Sequence, residues 1–255
     1  MAQIKANEAL VKALQTWNID HLYGIPGDSV DAVVDSLRTV RDQFKFYHVR
    51  HEEVASLAAA SYTKMTGKIG VALSIGGPGI VHLLNGMYDA KMDNVPQLII
   101  AGQTNSTLLG TKFFQETNIS KMVDDVAVYH HQIQKGDNVF EITNEAIRTA
   151  YEKKGVSVII CPNDLLTQKI KDTTNRAVDT TKPKPASPKF KSIKKAAKLI
   201  DKAKKPVMLI GLGTQHAKDE LREFIEAAKI PVIHTLPAKT ILPDDHPYSI
   251  GNLRS

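Results

Sequence analysis

Two hydrophobic periods alternate along the chain. In "EALVKALQTW", Ala9, Leu10, Ala13, Leu14 and Trp17 fall on one helical stripe, and after "HLYGI" the stripe is Val30, Val33, Val34 and Leu37. Short β-branched or wholly apolar runs separate such segments: "HLYGI", "FKFYHV", "IGVALSI", "QLIIAG" and "VSVIIC". Runs of this length with little polar alternation suit strands buried on both faces, and such strands need helices on both sides. The pattern predicts an α/β fold, a doubly wound parallel sheet flanked by helices, over residues 1–171. A polar, proline-rich, aperiodic stretch at 172–188 reads as a linker. Beyond it the alternation restarts with Ile193, Ala196, Ala197 and Ile200 at helical spacing, then the strand "PVMLIGLG", the helix "AKDELREFIEAAK" and the strand "PVIHTL". So few βα units cannot close a domain of ordinary size, and residues 189–255 read as a partial second α/β domain.

Composition narrows the function classes. With 255 residues and 42% apolar side chains the chain can bury ordinary cores, and disorder is excluded. No run reaches the roughly 18 apolar residues of a membrane span, and "MAQIKANEALVKALQ" lacks the apolar centre of a secretory leader, so the expected location is cytoplasmic. Cys161, the single cysteine, ends an apolar strand and is expected to be a buried residue rather than a nucleophile. The net charge of +6 comes from residues 171–255, which hold 17 Lys and Arg against 9 Asp and Glu. Its lysines lie opposite the Ile193 stripe with no aromatic residues between them, which describes a solvated helix face and argues against a nucleic-acid partner.

In open parallel sheets ligands bind beyond the carboxyl ends of the strands, and three turns are expected there: "PGDS", "RHEE" and "GGPG". Glycine turns also serve simply to join strand to helix, and acids in a first helical turn are favoured by the helix dipole, so composition leaves the role of Glu52 and Glu53 open.

The motifs themselves go further. "HLYGIPGDS", "VRHEEVASLAAASYTKMTGKIGVALSIGGPGIVHLLNGMYDA" and "NVPQLIIAGQT…GTKFFQETN" resemble, in order and spacing, the pyrimidine-binding domain of thiamine-diphosphate enzymes, and "RHEE" with "GPGIVHLLNG" resembles the pyruvate oxidase branch more than acetolactate synthases, which read "RHEQ" and "GPGATN". Residues from 186 onward resemble the start of the central domain that carries FAD in pyruvate oxidases. The resemblance implies thiamine diphosphate, FAD and Mg²⁺ as cofactors, pyruvate with phosphate or water as substrates, and a homodimer or homotetramer; a peripheral membrane contact of the full-length parent is also compatible with it. It implies that Glu52 hydrogen-bonds N1′ of the aminopyrimidine and relays a proton, in a largely apolar setting that favours the protonated acid. By the same resemblance Gly27, Gly77, Pro78, Gly79 and Phe114 approach the cofactor, and Asp28, His82 and Gln115 face the substrate. For His82 a satisfied core histidine is an equal reading. Glu53 is expected to be structural, and the helices bearing "AAASY" and Leu83, Leu84 and Met87 to offer an apolar patch for self-association.

Neither the "GDG" nor the following "NN" that hold Mg²⁺ in these enzymes occurs, and members of the family are much longer. The chain therefore reads as an N-terminal part whose metal site lies elsewhere in the parent, itself inactive and binding thiamine diphosphate weakly. Three other readings remain: an acetolactate synthase-like enzyme joining two 2-keto acids, a non-catalytic assembly module, and a nicotinamide-binding reductase, for which "GLGTQHA" supplies only part of a G-x-G-x-x-G turn because His216 takes the third position.

Overall fold

The computed structural model describes residues 2–183 and 187–253, which form two compact units, 1–184 and 185–255. In the first unit β1 (Gln3–Lys5) and α1 (Ala6–Thr16) lead into β2 (His21–Gly24), α2 (Asp31–Thr39), β3 (Lys45–His48), α3 (Glu52–Thr66), β4 (Gly70–Ser74), α4 (Pro78–Met92) and β5 (Gln97–Gln103). Then follow α5 (Ile119–Val123), β6 (Ala127–Gln132), α6 (Val139–Lys153), β7 (Val156–Pro162), α7 (Asn163–Leu166) and β8 (Lys169–Lys171). Six strands make one parallel sheet in the order β3-β2-β4-β5-β7-β6.

Alternate side chains of each strand feed two cores. On one face Leu22, Val71, Leu73, Leu98, Ile100, Ile159 and Cys161 pack with α1, α2 and α6. On the other, Ala72, Ile99, Ala101, Val158 and Ile160 meet α3, α4 and α5. Cys161 is fully buried, and burial pushes its thiol pKa up, as an inert strand residue requires. The doubly wound sheet is thus present, but its strands are not equally enclosed. β4, β5 and β7 are buried throughout, whereas β3, read from "FKFYHV" as a run buried on both faces, is an edge strand with Lys45, Tyr47 and His48 exposed.

Packing also decides how closely helices and strands approach. A Cβ on Gly86 of α4 would lie 2.6 Å from Leu57 N and Ser56 Cβ of α3, so the absent side chain is what lets these helices touch. Gln97, buried in β5, donates to the Ser56 carbonyl at 2.6 Å and fixes α3 to the sheet. On the opposite face Trp17 donates from Nε1 to Asn144 Oδ1 at 2.8 Å and stacks on Tyr151, joining α1 to α6.

Several features depart from the sequence pattern. Leu83 and Met87 are fully buried against the sheet and Leu84 packs partly there, so they form no apolar surface patch; the outward apolar residues of α3 and α4 include Val54, Val81 and Tyr88. The polar stretch after β8 runs along the first unit: Asp172 N–H donates to Ala2 O, Thr173 bonds Asn138, and Lys182 donates to Gly67 O while lying over the Tyr151 ring. β1 and β8 form a separate antiparallel pair that closes the unit's ends together.

The second unit contains α8 (Phe190–Lys202), β9 (Met208–Ile210), α9 (Lys218–Ala228), β10 (Val232–Thr235) and β11 (Ser249–Leu253), with a three-stranded parallel sheet in the order β11-β10-β9. Its core is Ile210, Ile225, Val232, Ala238, Ile241 and Leu242. No residue of α8 is buried among the described residues; Ile193 and Ile200 are exposed along with its lysines. Among the described residues no helix is long and apolar enough to cross a membrane.

Candidate active site

The sheet order creates a crevice. From β2 the chain moves outward to β3 and then returns to the other side of β2 as β4, and at such a reversal the turns beyond the strand ends diverge to opposite faces. The turns after β2 and β4 meet there. Ser29 Oγ accepts from Gly76 N–H at 3.0 Å. A Cβ on Gly27 would come within 2.6 Å of Ile75 Cγ2, and one on Gly102, in β5, within 2.5 Å of Ser29 Oγ. Asp28 opens a single 3₁₀ turn, and its carbonyl accepts from Asn163 Nδ2 at 2.8 Å.

The "GGPG" turn starts α4. Gly77, its N-cap, has φ +60°, and Pro78 takes the first helical position, where its missing N–H has no cost. A Cβ on Gly77 would lie 2.7 Å from Gln115 O, so glycine permits the loop at 110–116 to rest on the turn; a Cβ on buried Gly79 would meet Ile75 Cγ1 at 2.9 Å. That loop folds around Glu116, whose carboxylate accepts from Gly110 N–H and Phe113 N–H. These bonds, Gly110's first, hold its pKa below the ordinary glutamate range. Gln115 is half-buried against Gly77 with φ +61°, whereas Phe114 projects outward, 77% exposed.

Glu52 begins α3. His51 caps this helix by accepting Glu53 N–H on Nδ1, which turns the Glu52 side chain toward α4. Glu52, 12% exposed, binds His82 Nδ1 through Oε2 at 2.9 Å, and the His51 and His82 rings stack with centroids 4.4 Å apart. The setting of the acid is therefore imidazole-lined rather than largely apolar. His82, in the second turn of α4, is 44% exposed and is not a core histidine. Glu53 points elsewhere, accepting from Asn85 Nδ2.

The structure thus joins Glu52 to His82, Gly77 to Gln115, and Gly27 to the turn after β4; Phe114 shares no such contact. Sequence reasoning missed His51, Ser29 and Glu116. His51 was visible only as the neighbour of a notable acid, and Ser29 and Glu116 act through backbone amides distant or looped back in sequence, which no spacing rule displays.

An aminopyrimidine fits this donor set. Glu52 Oε1 makes no hydrogen bond among the described residues, so one carboxyl oxygen remains for a ring nitrogen while His82 holds the other. Mg²⁺ does not fit. Among the described residues the one cluster of three potential metal ligands is His51, Glu52 and His82, and two imidazoles with one carboxylate are not the oxygen-rich set that this ion needs.

Comparison with known proteins gives two family matches along the chain. Residues 4–122 match the thiamine pyrophosphate enzyme N-terminal TPP binding domain, and residues 193–255 match the central domain of the same enzymes. YdaP of Bacillus subtilis (strain 168), a protein assigned as thiamine pyrophosphate-containing, is 47% identical over 99% of this chain and 44% of its own length. The pyruvate oxidase of Lactiplantibacillus plantarum is 38% identical over 98% of this chain and 42% of its own, and the acetolactate synthase of Mycobacterium leprae 33% over 98% and 40%. The chain spans less than half the length of these relatives. By its N-terminal and central domains, the chain belongs to the thiamine pyrophosphate enzyme family.

Proposed function

We propose that the full-length protein is a pyruvate oxidase. In that reaction pyruvate would lose carbon dioxide, a flavin would supply the two-electron acceptor for the remaining two-carbon unit, and the acetyl group would end on phosphate or water. When bound, thiamine diphosphate would supply the carbanion-stabilising ring. Glu52 holds and returns a proton at the pyrimidine edge. His82 fixes the carboxyl rotamer through its 2.9 Å bond, and the Gly77 turn with Gln115 bounds the approach from the strand ends. The observation that carries this reading is a carboxyl set at the start of α3 with one oxygen engaged and the other open. The higher identity to the pyruvate oxidase than to the acetolactate synthase supports the oxidase branch.

Glu52→Gln in the full-length protein should reduce turnover by about 10²–10⁴-fold, the range of a lost acid–base group. Unchanged turnover would remove Glu52 from the mechanism. Following flavin absorbance during turnover separates the branches: acetolactate formed without flavin reduction would favour the second reading, a synthase joining two keto acids, which the 33% identical relative supports.

A further inference from the structure

The cluster of His51, Glu52 and His82 has a property that an acid–base role does not use. Each of the three side chains offers a ligand atom, and these atoms lie within 4.8 Å of one another. We propose that they bind one borderline divalent transition-metal ion of the Zn²⁺ class, through two imidazole nitrogens and one carboxylate oxygen.

Distances favour such a site. Zinc ligands sit about 2.0–2.2 Å from the ion, so two of them are roughly 3–3.5 Å apart. Glu52 Oε2 and His82 Nδ1, at 2.9 Å, already span nearly this distance. Only His51 has to move closer, by about 1.5 Å or less if donors are to reach that spacing. Its side chain is 47% exposed, and the contacts it exchanges on moving are the 3.3 Å cap on Glu53 N–H and the stacking on His82.

Ligand chemistry selects the ion. Imidazole nitrogens suit zinc, cobalt, nickel and copper, whereas magnesium and calcium prefer oxygen alone. Charge is also suitable, because neutral imidazoles leave the Glu52 carboxylate as a counter-charge, and Glu53 Oε2, 3.7 Å from His51 Nδ1, adds a second. The scaffold is stiff. α3 and α4 touch backbone to backbone at Gly86, and the Gln97 bond to Ser56 pins α3, so ligands from both helices start in place.

An ion on Glu52 Oε2 draws the carboxylate's charge to itself and so competes with the proton that the proposed reaction needs on the same group. The site itself is independent of that reading; the inhibition that follows from it rests on it.

Cobalt(II) is the probe, because its visible bands report inner-shell nitrogen ligands. Titration of the tag-free 255-residue chain should develop those bands to one equivalent, with Zn²⁺ displacing them. His82→Asn and His51→Asn, the latter keeping a capping acceptor for α3, should each weaken binding at least tenfold, a loss on the scale of removing a ligand-shell contact, while circular dichroism stays native. No bands, or bands unaffected by both substitutions in folded protein, would overturn the site. In the full-length protein, Zn²⁺ should lower turnover, a chelator should restore it, and His51→Asn should blunt the inhibition. Cobalt binding that needs both histidines, together with turnover indifferent to Zn²⁺, would keep the site and remove Glu52 from the proposed reaction.

Discussion

Gly77 and Glu53 show how differently neighbouring site residues carry their weight. Gly77 combines a backbone conformation that other residues rarely adopt with a Cβ direction blocked by Gln115 O at 2.7 Å. Gly77→Ala should destabilise the protein by about 1–3 kcal/mol, as strained backbone does, read as a lower urea midpoint. Glu53 is partly exposed and bonded to Asn85, so Glu53→Gln should shift stability by about 1 kcal/mol or less while sparing turnover, in contrast to Glu52→Gln. At this scale much of the site was legible. The family resemblance of the motifs singled out Glu52 and the glycine turn, which residue type alone had left undecided. The partner of Glu52 was not legible: His82 lies 30 residues away on a separate helix, and its sequence setting suited a core position equally well.

Among elements, the loop at 110–116 depends on one carboxylate. Because its hydrogen bonds hold Glu116 below the ordinary glutamate pKa of 4.5, the folded state gains from the ionised form. That gain is complete well above the unfolded pKa and vanishes as pH falls through the lower folded pKa. The protection of amides 110–115, taken relative to intrinsic exchange at each pH, should therefore fall in acid more than that of the sheet, and Glu116→Gln should show the lowered protection already at neutral pH; equal protection at both pH values would contradict this. The helix pair α3 and α4 depends on the lack of a side chain at Gly86 instead. Gly86→Val should cost about 1–3 kcal/mol, as overpacking of a closed contact does, measured by thermal unfolding. Periodicity located the long helices and the three central strands, since burial on both faces leaves a plain apolar run. It did not distinguish the edge strand β3, and it passed over β6, "AVYHHQ", whose residues are all half-buried and show neither period. The pairing of β1 with β8 joins segments from opposite ends of the first unit, which local pattern cannot encode.

The whole molecule has two units with separate cores, and the linker assigned from composition is in part bonded to the first. Residues 2–183 expressed alone should unfold cooperatively at nearly the temperature at which the same unit unfolds in the full chain, by scanning calorimetry; a loss of the transition would show that its two cores are insufficient. Self-association of the parent, which we propose with the enzyme reading, would use outward residues such as Val54 and Val81 rather than Leu83 and Met87, which the sheet already covers. Val81→Asp should then raise the dissociation constant in sedimentation velocity without lowering the unfolding temperature.

The lone tryptophan has an optical consequence. Trp17 is the only indole in the chain, and its hydrogen bond to Asn144 and stacking on Tyr151 lie wholly within the first unit. Indole emission therefore watches α1 and α6 separate and does not register the melting of β9, β10 and β11. Excitation at the red edge, where tyrosine is dark, makes the second unit invisible. A heat-capacity peak unaccompanied by any change in that emission belongs to residues 185–255, so the two melts can be assigned in the intact chain with no label added.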